Sequence, residues 1–310
     1  MRYHDLPHYL NLQFADACRT YAALCAAEAQ RKSYAGSMYW QQLNGAEYLT
    51  QASAGGRKKR WGPRTADTEA VYAEFMSERQ RAKQRYQQLA DAMKQQQRLN
   101  KALRVGRLPV VWIRILNGLR SAGLADDFRV TGAAATYAYE YAAGVKIDGD
   151  RNNAGETSLL SDRRSRLQLA APGAASALHV LAVIQHVAPA FQAYKGQRYV
   201  AIDHRGLEVE VLFDDSNGSH AGAPAFRQVV AGENGEMASM PTIEPRSFVL
   251  RQLYLSNQPG RDDFERYRDA CLARLVMAMV QDRIEAPGPA DETMQAQGKS
   301  WSANSMNISA

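Results

Sequence analysis

Residues Phe128–Leu167 set the fold, and they read FRVTGAAATYAYEYAAGVKIDGDRNNAGETSLLSDRRSRL. Phe128–Val130 is a short apolar run typical of a strand, and Thr131 and Gly132 separate it from a run rich in Ala and Tyr that permits a helix. A helix that opens at Gly132 directs free backbone N–H groups, and the positive end of its dipole, at whatever lies beyond it. The sequence therefore predicts a phosphate-binding turn at Thr131 and Gly132.

The residues after this stretch alternate between helical and strand patterns. A polar loop is predicted over 146–154, a strand near 157–160 and a helix over 175–187. His179 and His186 lie seven residues apart on that helix, but no third metal ligand is evident. Residues 198–203 and 207–213 predict a hairpin in which Glu208 and Glu210 share one face. These elements indicate an α+β fold with an α/β-like core.

Five segments occur in an order that resembles a bacterial nucleotidyltransferase family of the DNA polymerase β-like superfamily. They are VTGAAATYAYEYAAGV, ETSLLSDRRSRL, EVEVLF, MPTIEPRSFVLRQLYLS and ERYRD. The resemblance covers most of residues 33–281. It implies a nucleotidyltransferase-type mixed sheet flanked by helices, with a helical region on either side of it in the chain.

The resemblance also implies a site. Two Asp and a later Asp hold metal ions in the family, and the matching residues here are Glu156, Ser158 and Glu210. Glu156 and Glu210 are the candidate ligands of Mg²⁺ or Mn²⁺, and an NTP is the implied substrate. The candidate nucleotide-binding residues are Thr131, Gly132, Arg163, Arg166, Arg246 and Arg251.

The departures from the family pattern leave three interpretations open. Ser158 is a neutral ligand that cannot bridge two metal ions as a carboxylate does, and Glu is longer than Asp. The chain can be an active enzyme that transfers a nucleotide to an RNA, a protein or a small molecule. It can be a catalytically degenerate module that binds nucleotide or RNA. It can also be a structural or partner-regulating protein.

The N-terminal region contains a predicted helix over 8–31 and a predicted hairpin around Asn44 and Gly45. A basic run follows, with Trp61 beside it. Its cations could bind a nucleic-acid backbone while one base stacks on Trp61. The run comprises Arg57, Lys58, Lys59 and Arg60. A charged end of the hairpin with a half-buried Trp61 would give the same pattern.

One long helix is predicted over 67–104, because the segment has no Pro or Gly and has an N-cap candidate in Thr65 or Asp67. Residues 79–107 contain nine basic residues and one acid. Arg81 and Arg85 are the candidate RNA contacts on this stripe. A solvated helix face is the alternative.

The C-terminal part is predicted to contain a loop over 214–235, an edge strand over 237–240, and helices over 248–255 and 264–284. The predicted regions are 1–120 (helical, with the hairpin and the long basic helix), 121–240 (nucleotidyltransferase-like core), 241–284 (helical) and 285–310 (disordered tail).

Composition narrows the class of protein. The chain has 310 residues, and its net charge is +6. It contains no apolar run long enough to span a membrane, and its start lacks the apolar core of a signal peptide. Cys18, Cys25 and Cys271 lack metal spacing and are interpreted as reduced thiols. We therefore expect a cytoplasmic protein without membrane partners, and its oligomeric state stays open.

Overall fold

The computed structural model describes residues 3–53, 55–147, 166–193, 200–203, 206–213 and 225–284. The chain forms two compact units. The three-stranded unit consists of residues 7–113 and 231–238, and the seven-stranded unit consists of residues 1–6, 114–230 and 239–310. Each unit is named after its main sheet.

The helices of the described residues are α1 (His8–Ser33), α2 (Ala66–Ala102), α3 (Val110–Ser121), α4 (Gly132–Ala143), α5 (Ala174–Val187), α6 (Pro245–Ser256) and α7 (Asp263–Met279), and a π-helical turn (Val280–Ile284) follows α7. The strands are β1 (Tyr3–Asp5), β2 (Ser37–Leu43), β3 (Ala46–Ala52), β4 (Lys58–Pro63), β5 (Arg129–Thr131), β6 (Val145–Ile147), β7 (Arg166–Ala171), β8 (Gln192–Ala193), β9 (Val200–Ile202), β10 (Glu208–Phe213), β11 (Ala225–Ala231) and β12 (Met237–Ile243).

The long helix α2 packs along α1 in the three-stranded unit. It begins where predicted, because Thr65 is its N-cap and forms a capping box with Thr68. The rings of Tyr34 and Phe75 meet with centroids 5.7 Å apart. This packing gives the narrow apolar stripe of α2 a partner, which a helix this polar needs to be stable.

The predicted hairpin is present and is extended by a third strand. Asn44 and Gly45 take φ of 51° and 82°, as a two-residue turn between β2 and β3 requires. The strand β4 pairs antiparallel with β3, so the sheet order is β2-β3-β4. Residues 231–238 complete the unit, since Asn100 donates to the carbonyl of Gly235 over 3.2 Å.

The mixed sheet of the seven-stranded unit has the order β11-β12-β5-β7-β10-β9-β8. Its centre pairs β5 parallel with β12 and antiparallel with β7, and pairs β7 parallel with β10. The helix α4 is buried along almost its whole length, and Tyr139 is fully buried against Phe248 with ring centroids 5.2 Å apart. The Tyr139 hydroxyl donates to the carbonyl of Ile243 over 2.9 Å, which satisfies its polar group.

The α+β fold class with a mixed sheet flanked by helices is confirmed. Three local predictions are wrong. Residues 225–231 are a strand and not a loop, residues 145–147 form the strand β6 paired with β1, and β12 lies between β11 and β5 instead of at the edge. The predicted strand over 157–160 and the predicted tail over 285–310 lie outside the described residues.

Among the described helices, none is both long enough and apolar enough to pass through a membrane.

Candidate functional site

Three neighbouring strands bring one residue each into a row. Thr131 on β5 lies opposite Gln168 on β7, and Gln168 lies beside Glu210 on β10. Thr131 is also the N-cap of α4, and its side chain does not cap the helix. The row therefore lies where the backbone N–H groups of the first turn of α4 are free of intrahelical partners.

Gly132 is required at the start of α4 for two reasons. Its φ is 63°, in the left-handed region that favours glycine. A Cβ at this position would also lie 2.2 Å from Oε1 of Gln168. Glycine at position 132 thus lets α4 begin in direct contact with the side chain of Gln168.

Only one oxygen of the Glu210 carboxylate contacts other described side chains. Its Oε2 accepts from Nε2 of Gln168 over 2.7 Å and lies 3.6 Å from Nη1 of Arg166. The same guanidinium pairs with Oε2 of Glu208 over 2.8 Å. Val209 and Val211 are buried, so the predicted alternation of this strand is confirmed. Oε1 of Glu210 makes no bond with the residues that the structure describes.

The C-terminal helices add a second group of charges around Asp269, whose side chain is 2% exposed. Its Oδ2 accepts from Nη2 of Arg261 over 3.0 Å, and its Oδ1 accepts from Nη2 of Arg268 over 3.0 Å. Nε of Arg261 is buried and makes no hydrogen bond with any described residue. One buried carboxylate therefore orients two guanidinium groups, and a donor on one of them is left for another acceptor.

These residues surround a cavity of about 360 Å³, a volume within the range of small-molecule sites. Its lining includes Gly132, Ala133, Gln168 and Gln252. The charged groups in the lining are Arg166, Arg251, Arg261, Arg268, Glu210, Glu265 and Asp269. The four cations exceed the three acids, and a fork of N–H donors on each guanidinium matches a phosphate.

A family model described as Nucleotidyltransferase matches residues 111–225 and 221–297, which is more than half of the chain. The chain belongs to this nucleotidyltransferase family. No curated protein and no solved structure shows significant similarity to the chain.

Several residues predicted for the nucleotidyltransferase site lie together. Gly132, Arg166, Glu210 and Arg251 line the cavity, and Nη1 of Arg251 donates to Oγ1 of Thr131 over 3.3 Å. Arg246 is exposed on α6 and is not part of the lining. The remaining predicted residues, which are Glu156, Ser158 and Arg163, lie outside the described residues.

Sequence reasoning missed Gln168, Arg261 and Asp269. Gln168 follows Arg166 by two residues on one strand, so alternation alone would have placed both on one face. Asp269 precedes Leu272 by three residues and so shares the apolar face of α7, where an acid must have a partner. Nothing local distinguishes Arg261, which lies between two helices.

The described residues do not form a metal site by themselves. They contain no group of three or more His, Cys, Asp or Glu side chains that could hold a metal ion. Glu210 is the carboxylate of the Thr131–Gln168–Glu210 row. His179 and His186 are exposed on α5.

The candidate nucleic-acid residues lie in the three-stranded unit. Arg57, Lys58, Lys59 and Arg60 are all exposed. Nζ of Lys59 lies 3.8 Å from the ring centre of Trp61, while the guanidinium of Arg60 lies 5.5 Å from that of Tyr48. Arg81 pairs with Glu78 on the same helix over 2.6 Å, and Arg85 is exposed.

Proposed function

We propose that the chain is a metal-dependent nucleotidyltransferase that transfers a nucleotide from an NTP to an RNA, protein or small-molecule acceptor. The observation that carries this proposal is the row of Thr131, Gln168 and Glu210 at the glycine-opened start of α4, beside a cavity lined by four arginines. Membership of the nucleotidyltransferase family supports the same reaction class.

The arginines suit the polyphosphate of the NTP. Arg251 lies beside Thr131 at the start of α4, and Arg261 and Arg268 are oriented by Asp269. The buried Nε of Arg261 has no acceptor among the described residues, and a phosphate oxygen would provide one. Guanidinium groups held in this way stabilise negative charge without reorganising during the reaction.

Glu210 would hold Mg²⁺ or Mn²⁺ together with Glu156. Its carboxylate is a hard anionic ligand of the kind that Mg²⁺ prefers, and its Oε1 has no partner among the described residues. Gln168 and Arg166 fix the other oxygen and so orient the carboxylate. When bound, the ion would neutralise phosphate charge and activate the attacking hydroxyl.

A second candidate function is a catalytically degenerate module that binds nucleotide or RNA. Two observations favour it. Ser158 replaces a carboxylate of the family pattern. The nearest described neighbour of the Glu210 carboxylate is the amide of Gln168, which adds no negative charge for a metal ion.

Label transfer from α-labelled NTPs separates the two. The protein is incubated with each NTP, Mg²⁺ or Mn²⁺, and total RNA or cell lysate. Transfer that falls at least about 100-fold in Glu210→Ala supports the enzyme, a loss typical of a disrupted metal or electrostatic group. Glu233→Ala, an exposed acid in the three-stranded unit, is the matched control and should keep full transfer.

Calorimetric titration with NTP gives the second measurement. Nucleotide binding without transfer in the wild type would favour the degenerate module. No binding of any NTP, with or without a divalent ion, would contradict the enzyme and a module that binds nucleotide. Only a module that binds RNA would then remain.

A further inference from the structure

We propose that one face of the three-stranded sheet binds single-stranded RNA. This tyrosine face consists of Tyr39, Gln41, Tyr48, Lys58 and Arg60, which surround the buried Thr50. It lies in the three-stranded unit and is distinct from the nucleotide cavity, which is formed by the seven-stranded unit.

The register places these side chains on one face. Gln41 is opposite Tyr48 across β2 and β3, and Thr50 is opposite Arg60 across β3 and β4. Residues two apart on a strand point the same way, so Tyr39 joins Gln41 and Lys58 joins Arg60. Two contacts agree with this assignment. The Thr50 hydroxyl lies 3.4 Å from Oε1 of Gln41, and Arg60 lies over the ring of Tyr48.

The opposite face of the sheet is the one that packs on α2. Trp40 meets Tyr72 of α2 with ring centroids 5.9 Å apart, and its cross-strand partner Leu49 is fully buried. Trp61 also belongs to that side, because its indole N–H donates to Gln51 over 3.2 Å. The aromatic side chains that accompany Lys58 and Arg60 are therefore the tyrosines and not Trp61.

The charge of the tyrosine face favours a polyanion. Two of the four cations in residues 37–63, Lys58 and Arg60, lie on this face, and Glu47 is the single acid of the segment. The carboxylate of Glu47 is bonded to Arg64 over 2.7 Å, so it does not neutralise the basic run. Lys58 and Arg60 are exposed and form no ion pair with the described residues. Cations without an acidic partner contact phosphates and release counterions.

The aromatic rings favour single strands over duplexes. Unstacked bases can lie on Tyr rings, whereas bases inside a duplex are not accessible to them. Tyr39 and Tyr48 are both partly exposed, and as a diagonal cross-strand pair they stand roughly 7–8 Å apart. The amide N–H₂ of Gln41 and the tyrosine hydroxyls can bond a 2′-hydroxyl, which distinguishes RNA from DNA.

Lysines on an edge strand also discourage pairing with another chain, and β4 is such an edge. That role explains cations on β4 in general. It does not explain two tyrosines and a glutamine on the face that is not packed on α2.

The charge test uses a fluorescein-labelled 12-nucleotide RNA of mixed sequence and fluorescence anisotropy at several salt concentrations. We expect Lys58→Gln with Arg60→Gln to weaken binding by at least about 10-fold and to lower the salt slope by about 1.4, or 0.7 for each lost contact. Arg19→Gln with Lys32→Gln is the matched control. Both are exposed cations of the same unit that lie outside the basic stripe of residues 79–107, and the change in charge is equal.

The stacking test replaces one base by 2-aminopurine, whose fluorescence falls when it stacks. Tyr48→Phe keeps the ring and should keep the quenching. Tyr48→Leu should lose quenching and weaken binding by about 5- to 150-fold, the range of a lost base–aromatic stack. The thermal melt of each variant shows whether the unit is folded, and the charge test does not depend on this position.

Three results would overturn the proposal. They are an equal loss in the Arg19 and Lys32 control, equal affinity for DNA of the same sequence, and no binding of the RNA at low salt. Affinity is measured without NTP, so a failure of nucleotidyl transfer leaves these outcomes readable.

Discussion

The side-chain amide of Gln168 donates to the carboxylate of Glu210 over 2.7 Å, across the parallel strands β7 and β10. Both residues line the cavity beside α4. It neutralises no charge, so the nature of residue 168 sets how much negative charge this row can offer to a cation.

Gln168→Glu should make the seven-stranded unit sensitive to Mg²⁺. Two carboxylates in contact repel each other, so we expect the melting temperature to fall in the absence of divalent ions and to recover in millimolar Mg²⁺. Thermal melts with Mg²⁺ and with a chelator measure this. Gln168→Leu is the control, since it removes the amide without adding charge and should melt independently of Mg²⁺. Equal Mg²⁺ responses in both variants would contradict the expectation.

Asp269→Asn should destabilise the protein and weaken NTP binding together. Removing one partner of a buried charge cluster typically costs about 3–5 kcal/mol, and the Asn amide retains some of the hydrogen bonds. Denaturant unfolding and calorimetry with NTP measure the two effects. Asp263→Asn lies on the same helix with its side chain 96% exposed, and should change stability by no more than about 0.5 kcal/mol. Unchanged NTP affinity in Asp269→Asn would show that Arg261 and Arg268 do not bind phosphate.

Gly132→Ala should lower the free energy of unfolding by about 1–3 kcal/mol, the cost of a left-handed backbone at a non-glycine residue. The new methyl group would also displace Gln168 from its position beside α4. Gly55→Ala is the control. A Cβ added at Gly55 would lie 4.0 Å from its nearest neighbour, and the backbone of Gly55 is not left-handed. Denaturant titrations of the two variants test the difference, and equal losses would argue against a special role of Gly132.

Cys18 should react slowly with alkylating agents at neutral pH. Burial raises the pKa of its thiol from 9.0 to about 12, and the thiolate is the reactive form. Labelling by iodoacetamide, followed by peptide mass spectrometry, should rise about tenfold per pH unit below that pKa. Because the folded-state pKa is raised, the neutral thiol stabilises the fold below pH 9 and this contribution is lost as the pH rises towards 12. Fast labelling of Cys18 at pH 7 in the folded protein would contradict this expectation.

The sequence predicts correctly those structural elements that depend on residues close together in the chain. The start of α4 at Gly132, the turn at Asn44 and Gly45, and the alternation of β10 each depend on a few neighbouring residues. Family motifs marked the cavity residues Arg166, Glu210 and Arg251, which the fold brings together.

Other features depend on residues far apart in the chain. The strand β11 follows a segment rich in Gly, Ser and Asn, and its place in the sheet comes from β12. The strand β6 is only three residues long and is stabilised by β1, more than 130 residues away. No local pattern encodes such tertiary contacts.

The three-stranded unit is formed by two segments that lie far apart in the chain, and this limits where the protein can be truncated. A fragment ending at residue 113 would lack both partners that residues 231–238 provide. The fully buried side chain of Asn100 would lose its bond to the carbonyl of Gly235, and the carbonyl of Leu108 would lose the backbone N–H of Glu233, which it accepts over 2.9 Å. Unpaired buried groups of this kind make such a fragment prone to misfold. A soluble truncation would need the 231–238 turn grafted back through a short linker or supplied as a complementing peptide.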